Sequence, residues 1–187
     1  MPPEPLLFLK APSAIIASEE AIRLPPESRQ VEHEGELGVV IGRHLSRLSE
    51  EEDPLTYVLG YTCINDVTAR DLQHQDIQFT RAKSFDTFCP VGPFIVTDIN
   101  PADVTVMTRV NGEIKQRANT SAMAFSVAYL LRYISHAMTL LPGDLIATGT
   151  PAGVSRLNEN DIVEVEVEGI GVLRNTIVGT SSPSIAS

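Results

Sequence analysis

Glu34 and Glu36 stand two residues apart in residues 31–43, VEHEGELGVVIGR. Three glycines in this stretch, each costing a helix about 1 kcal/mol against alanine, make a strand the better expectation. Side chains two apart on a strand share a face, with Cα atoms about 6.5–7 Å apart. Two carboxylates that close repel each other unless a positive charge lies between them, and a hard divalent cation supplies one. The plainer alternative makes Glu32, Glu34 and Glu36 the solvated face of a sheet. Three features weigh against it. The stretch runs on into the apolar residues 37–41, Gly35 allows another backbone to approach closely, and Asp66 closes a second apolar run at residues 55–65. Asp66 precedes a helical turn expected at 67–72, so it is either a ligand or a helix N-cap.

Arg70, Arg81 and Lys83 are three of only 14 basic residues and lie close together. They either hold an anionic ligand or pair with the interleaved Asp71, Asp76 and Asp86. A lysine buried among apolar neighbours has a lowered pKa, so Lys83 could act as a base or stabilise an enolate. The turn at 149–153, GTPAG, offers backbone N–H groups and the Thr150 hydroxyl to a carboxylate. His33, His44, His74 and His136 lack metal-ligand spacing, and His33 alternates away from Glu34 and Glu36, so none is assigned as a ligand. Cys63 and Cys89 read as reduced, buried thiols. The sequence carries no nucleophile elbow, phosphate loop or dinucleotide fingerprint, which disfavours triad hydrolases, kinases and nicotinamide enzymes.

The positioning elements are mostly strands. Short strands or extended pieces are expected at 6–10 and 13–16, a polar turn or short helix at 44–54, and irregular chain at 73–82. Further strands fall at 91–96, 104–110, 145–148, 162–168 and 170–178. Asn111-Gly112 between two strand-like runs marks a type I′ hairpin. Apolar residues at 123, 127, 130, 131, 134 and 138 space out one packing helix over 122–138, capped by Thr120 or Ser121. A chain of 187 residues reads as one mainly β domain with some α, residues 1–180, followed by a flexible tail at 181–187. With 14 basic and 24 acidic residues the net charge is −10, which argues against nucleic acid and anionic membranes as partners. The opening MPPEP lacks a signal-peptide pattern, and Arg132 and His136 break the longest apolar stretches, so a cytoplasmic protein is expected.

Four stretches together resemble the catalytic domain of the fumarylacetoacetate hydrolase family. They are residues 33–42 (HEGELGVVIG), 65–73 (NDVTARDLQ), 82–86 (AKSFD) and 148–151 (TGTP), in that order. The likeness runs from Pro5 to about Val178 and is strongest to small bacterial members acting on 2-oxo or 2-hydroxy-dienoic diacids. It implies rolled mixed β-sheets, a homodimer, and Mg²⁺ or Mn²⁺ held by Glu34, Glu36 and Asp66. It implies that Lys83 is catalytic beside the metal, and that Arg70, Gln73 and Thr150 bind a small anionic 2-oxo acid. The implied chemistry is enolate stabilisation in C–C hydrolysis, decarboxylation or isomerisation, in aromatic or 2-oxo-acid catabolism. Family hydrolases carry a His and a Glu three residues apart, upstream of a Pro-x-Pro-Leu-x-Phe-x-Lys stretch. Here only that downstream stretch is matched, at 3–10. A form without the pair can still isomerise, tautomerise or bind a diacid, whereas hydrolysis by an activated water needs the pair. The alternative is a catalytically silent, lid-less homologue serving as a binding or oligomerising subunit.

Overall fold

The computed structural model describes residues 3–179; the tail expected at 181–187 lies outside the described residues. In chain order the strands begin with β1 (Ile15–Ile16), β2 (Ala21–Arg23), β3 (Val31–Glu32), β4 (Gly35–Ile41), β5 (Val58–Asn65) and β6 (Thr68–Ala69). Two short helices follow, α1 (Arg70–Gln75) and α2 (Thr80–Lys83), then β7 (Cys89–Val96), β8 (Thr105–Val110) and β9 (Glu113–Asn119). The main helix α3 (Val127–Ala137) leads to β10 (Leu145–Ala147), β11 (Ile162–Val167) and β12 (Gly171–Val178).

Two five-stranded sheets carry the fold, in the orders β1-β7-β5-β4-β10 and β2-β12-β11-β8-β9. Both are mixed, because β1 and β2 join their neighbours in parallel while the other pairings are antiparallel. The fold is therefore mainly β, with curled mixed sheets and few helices. The sheets differ in patterning for a physical reason. β11 alternates, with Val163, Val165 and Val167 inward and Glu164 and Glu166 outward, where Arg109 bridges both acids. Strand β4 is buried along its whole length, because the second sheet and α3 cover its apolar residues. Leu37, Val39 and Ile41 pack there against Val165, Val167, Leu173 and Leu131. Among the described residues no helix is long and apolar enough to cross a membrane.

The hairpin forms as expected: Asn111 and Gly112 take φ of 52° and 80° between β8 and β9. Other expectations are corrected. Residues 6–10 pair with no strand; Leu6 and Leu9 are each 68% exposed, and the segment is tied down by side chains instead. The strand expected over 31–43 breaks at His33-Glu34 into β3 and β4. Residues 44–54 hold turns, as expected, and Glu50 to Asp53 are exposed surface. Residues 67–72 begin as strand, because Thr68 and Ala69 pair with Glu32 and Val31, which delays α1 to Arg70. Residues 73–82, expected irregular, contain the end of α1 and most of α2. The main helix starts at Val127 rather than 122. Thr120–Ala122 is a separate 3-10 turn capped by the Asn119 side chain, the chain leaves helical geometry at Met123 (ψ 141°), and Ser126 caps α3 through Tyr129 N.

Candidate metal and substrate site

The antiparallel pairing of β4 with β5 sets Gly35 opposite Asn65. This register brings the residues flanking Gly35 beside the residue following Asn65. Asp66 N donates to Glu34 O, and Glu34 N donates to the Asn65 side chain, both at 2.9 Å. Glu34, Glu36 and Asp66 consequently converge, each offering an oxygen within 4.8 Å of the others. All three are buried. Glu32, on the far side of the break, turns away to Gln30 and Arg70. The surface alternative for Glu34 and Glu36 does not describe this site, nor does the helix-cap alternative for Asp66, whose oxygens meet Lys10 and Lys83. Gly35 admits a close approach, but of the Thr108 side chain rather than a backbone.

Lys83, at the end of α2, is 2% exposed. Its Nζ lies 2.8 Å from Glu34 Oε2 and 2.6 Å from Asp66 Oδ2, and it faces the Phe8 ring at 4.7 Å. Burial works to lower its pKa, as the sequence reading expected, but the charges of Asp66 and Glu34 outweigh burial and the net shift is upward. Lys83 is thus an ammonium here, and the base role read from sequence is not what this geometry favours. Lys10 Nζ reaches Asp66 Oδ1 at 2.7 Å. Arg70 bonds Glu32 and Glu34, and donates to Gln73 Oε1 at 2.5 Å. Arg81 instead forms a two-pronged surface pair with Asp76, so the pairing alternative holds for it.

Glu36 differs from its two partners. Its protein donor is Gly149 N at 2.7 Å, presented by the turn after β10. Burial, then the charge of Asp66, then that of Glu34, push its pKa up from 4.5 to about 8, against the Gly149 bond. Three oxygen-donor acids in one buried place, with the pKa of one raised by burial and by repulsion from the other two, suit a hard divalent cation. A pH prediction follows. Because the folded pKa of Glu36 lies above the unfolded one, its contribution to stability is full below pH 4.5 and is lost as pH rises to about 8. Chelator-treated protein therefore melts at progressively lower temperature across that window, and Glu36→Gln flattens the slope; an unchanged slope in the variant counts against the assignment.

The acids open onto a cavity of about 500 Å³. Gln73, Lys83 and Thr150 line it beside the acids, and Phe8, Phe79, Met123 and Phe125 supply apolar wall. The Arg70 guanidinium is not on that wall; it holds the Glu34 carboxylate and the Gln73 carbonyl, and the Gln73 NH₂ has no protein partner among the described residues. The Thr150 hydroxyl bonds Gly35 O and Gln116. His33 is buried against Gln116 and Ser155, burial lowers its pKa, and it does not join the acids. Cys63 and Cys89 are buried free thiols pushed up to about 12 and about 11 by burial. Sequence reasoning gave no role to Phe8, Lys10 or Gln116. The isolated lysine in the apolar run 6–10 was the available signal for Lys10.

Residues 1–178 match the family described as fumarylacetoacetate (FAA) hydrolase C-terminal. The chain belongs to the fumarylacetoacetate hydrolase family. An uncharacterised protein of Methanocaldococcus jannaschii is 52% identical over 177 residues, 95% of this chain and 74% of that protein. Oxaloacetate tautomerase YisK of Bacillus subtilis is 41% identical over 188 residues, 95% of this chain and 62% of that protein. The crystal structure of 5-carboxymethyl-2-hydroxymuconate delta-isomerase from Mycobacterium smegmatis superposes with a TM-score of 0.94 at 47% identity, covering 97% of this chain and 72% of that one. The chain is a family enzyme by descent and fold, and its buried acidic trio is consistent with the metal site of such an enzyme.

Proposed function

We propose that this chain is a divalent-cation-dependent isomerase or tautomerase of small 2-oxo acids and diacids. The observation that carries the reading is Lys83, an ammonium buried between Glu34 and Asp66 at the edge of a cavity that a third carboxylate also faces. The names of the tautomerase and isomerase relatives support proton transfer over bond cleavage as the reaction. Glu34, Glu36 and Asp66 would hold Mg²⁺ or Mn²⁺. When bound, that ion supplies Lewis-acid stabilisation to a developing enolate. Lys83 adds a fixed positive charge where negative charge develops, with no solvent to reorganise. The Gln73 NH₂ and the Thr150 turn orient the ligand's carboxylate, and Phe8 and Phe79 keep water from Lys83. Arg70 positions Glu34 and Gln73. A homodimer acting in the cytoplasm accords with this reading.

The test is a thermal shift with Mg²⁺ and oxalate, added separately and together. A ligand that binds only the folded state must raise the melting temperature. The joint shift should exceed the sum of the two separate ones. Glu36→Gln should abolish the Mg²⁺ shift without lowering the melting temperature of the metal-free protein, since it removes a carboxylate that burial and repulsion disfavour. Additive or absent shifts in the wild type would sink the proposal.

A further inference from the structure

The Thr150 turn is held against the acidic centre by a side chain that no motif marks. Gln116, on β9, is 1% exposed and bonded at both ends. Its Oε1 lies 3.1 Å from Gly35 N and 3.2 Å from His33 Nδ1. Its Nε2 lies 2.7 Å from Pro151 O and 2.8 Å from Thr150 Oγ1. Two of these partners have fixed polarity, since a backbone N–H only donates and a backbone carbonyl only accepts. They determine which end of the amide is which, and the remaining protons follow. His33 Nδ1 faces an oxygen and carries the proton, so Nε2 accepts from Ser155 Oγ at 2.9 Å. Thr150 Oγ1 accepts from Gln116 and sends its own proton to Gly35 O at 2.9 Å. The Thr150 hydroxyl proton is therefore spoken for. Its main-chain N–H, without a protein partner among the described residues, is the donor left to this cavity-lining residue.

We propose that Gln116 is a positioning residue of the site. It fixes the hydrogen-bond polarity of Thr150 and ties its turn to Gly35, between two of the acids. The contact offered to a ligand carboxylate is thereby the Thr150 main-chain N–H, not its hydroxyl. The role in binding rests on the function proposed above; the polarity of the network does not.

The experiment has three readouts on the full chain. Nitrogen-15 spectra of the wild type at pH 8 should show His33 as the Nδ1–H tautomer. The Thr150 amide resonance should move when oxalate is added over saturating Mg²⁺ and stay nearly still with Mg²⁺ alone. Gln116→Met, close in volume but without the amide, should weaken oxalate binding about tenfold or more, as expected for a lost bond to a charged group, while Mg²⁺ affinity stays within about threefold. A merely structural glutamine would lower the melting temperature and leave oxalate affinity alone. That result, an Nε2–H tautomer, or a Thr150 amide indifferent to bound oxalate would each overturn the proposal. Should Gln116→Met fail to fold, the two wild-type readouts still decide it. A wild type that binds no oxalate at all overturns the proposed function and the binding role with it, while the tautomer still reports on the network.

Discussion

Lys83→Met lowers turnover of an enolisable 2-oxo diacid such as oxaloacetate by about 10²–10³-fold, the cost of losing one fixed charge at a developing oxyanion. It also destabilises the metal-free protein by about 3–5 kcal/mol. Removing one member of a buried ion cluster is strongly destabilising, and here Glu34 and Asp66 both lose the ammonium that lies within 2.8 Å and keep only Arg70 and Lys10 respectively. The two effects separate experimentally. Methionine fills most of the lysine stem's volume, so the cavity and the packing against Phe8 are retained. Mg²⁺ then meets three less-compensated carboxylates, and its thermal shift should be larger in the variant than in the wild type. Enol-to-keto conversion followed by ultraviolet absorbance gives the rate, and scanning calorimetry with and without Mg²⁺ gives the stability. A variant that is destabilised yet turns over within about threefold of wild type would make Lys83 only a buried counter-ion.

Gly35→Ala should cost about 3 kcal/mol or more, at the upper end for an overpacked core. A Cβ at Gly35 would lie 2.0 Å from Thr108 Oγ1 and 3.3 Å from Val165 Cγ1. Neither neighbour is free to retreat, since Thr108 is fully buried and both are held in the β8–β11 ladder. The strain falls between Glu34 and Glu36, so β4 must shift away from the second sheet and carry both acids with it. Loss of the Mg²⁺ thermal shift should accompany the loss of stability. Thr108→Ala in the same chain removes the closest clash and restores most of both, a coupling that a double-mutant cycle measures. Equal destabilisation in the single and double variants would place the strain elsewhere.

Local chemistry was enough to read several features. Asn111-Gly112 dictates its hairpin because both residues tolerate positive φ, whatever surrounds them. The strict alternation of residues 162–168 dictates a half-buried strand. The pairing of Glu34 with Glu36, and their relation to Asp66 at the end of an apolar run, were visible as residue types in order. Elements whose limits depend on a distant partner were not. The main helix begins at Val127 because residues 120–122, anchored to Val104 N 16 positions away, form their own 3-10 turn and the chain is extended at Ser126, which caps α3. Residues 6–10 have a strand's composition but find no ladder, and serve instead as a strap over Asp66 and Lys83.

The protonation of the site was decided in the same way. Residue types and spacing put Glu34 and Glu36 on one face and left Asp66 a ligand or a cap; it was the resemblance carried by the four motifs that implied one centre of carboxylates and a lysine. Only the tertiary structure decided that Lys83 remains an ammonium, that Glu36 is the acid pushed upward, and that Thr150 has no hydroxyl proton to offer. Each of these depends on a charge or a hydrogen bond from a residue far off in sequence, and such energies are set by distance and burial, which exist only once the sheets have closed on one another.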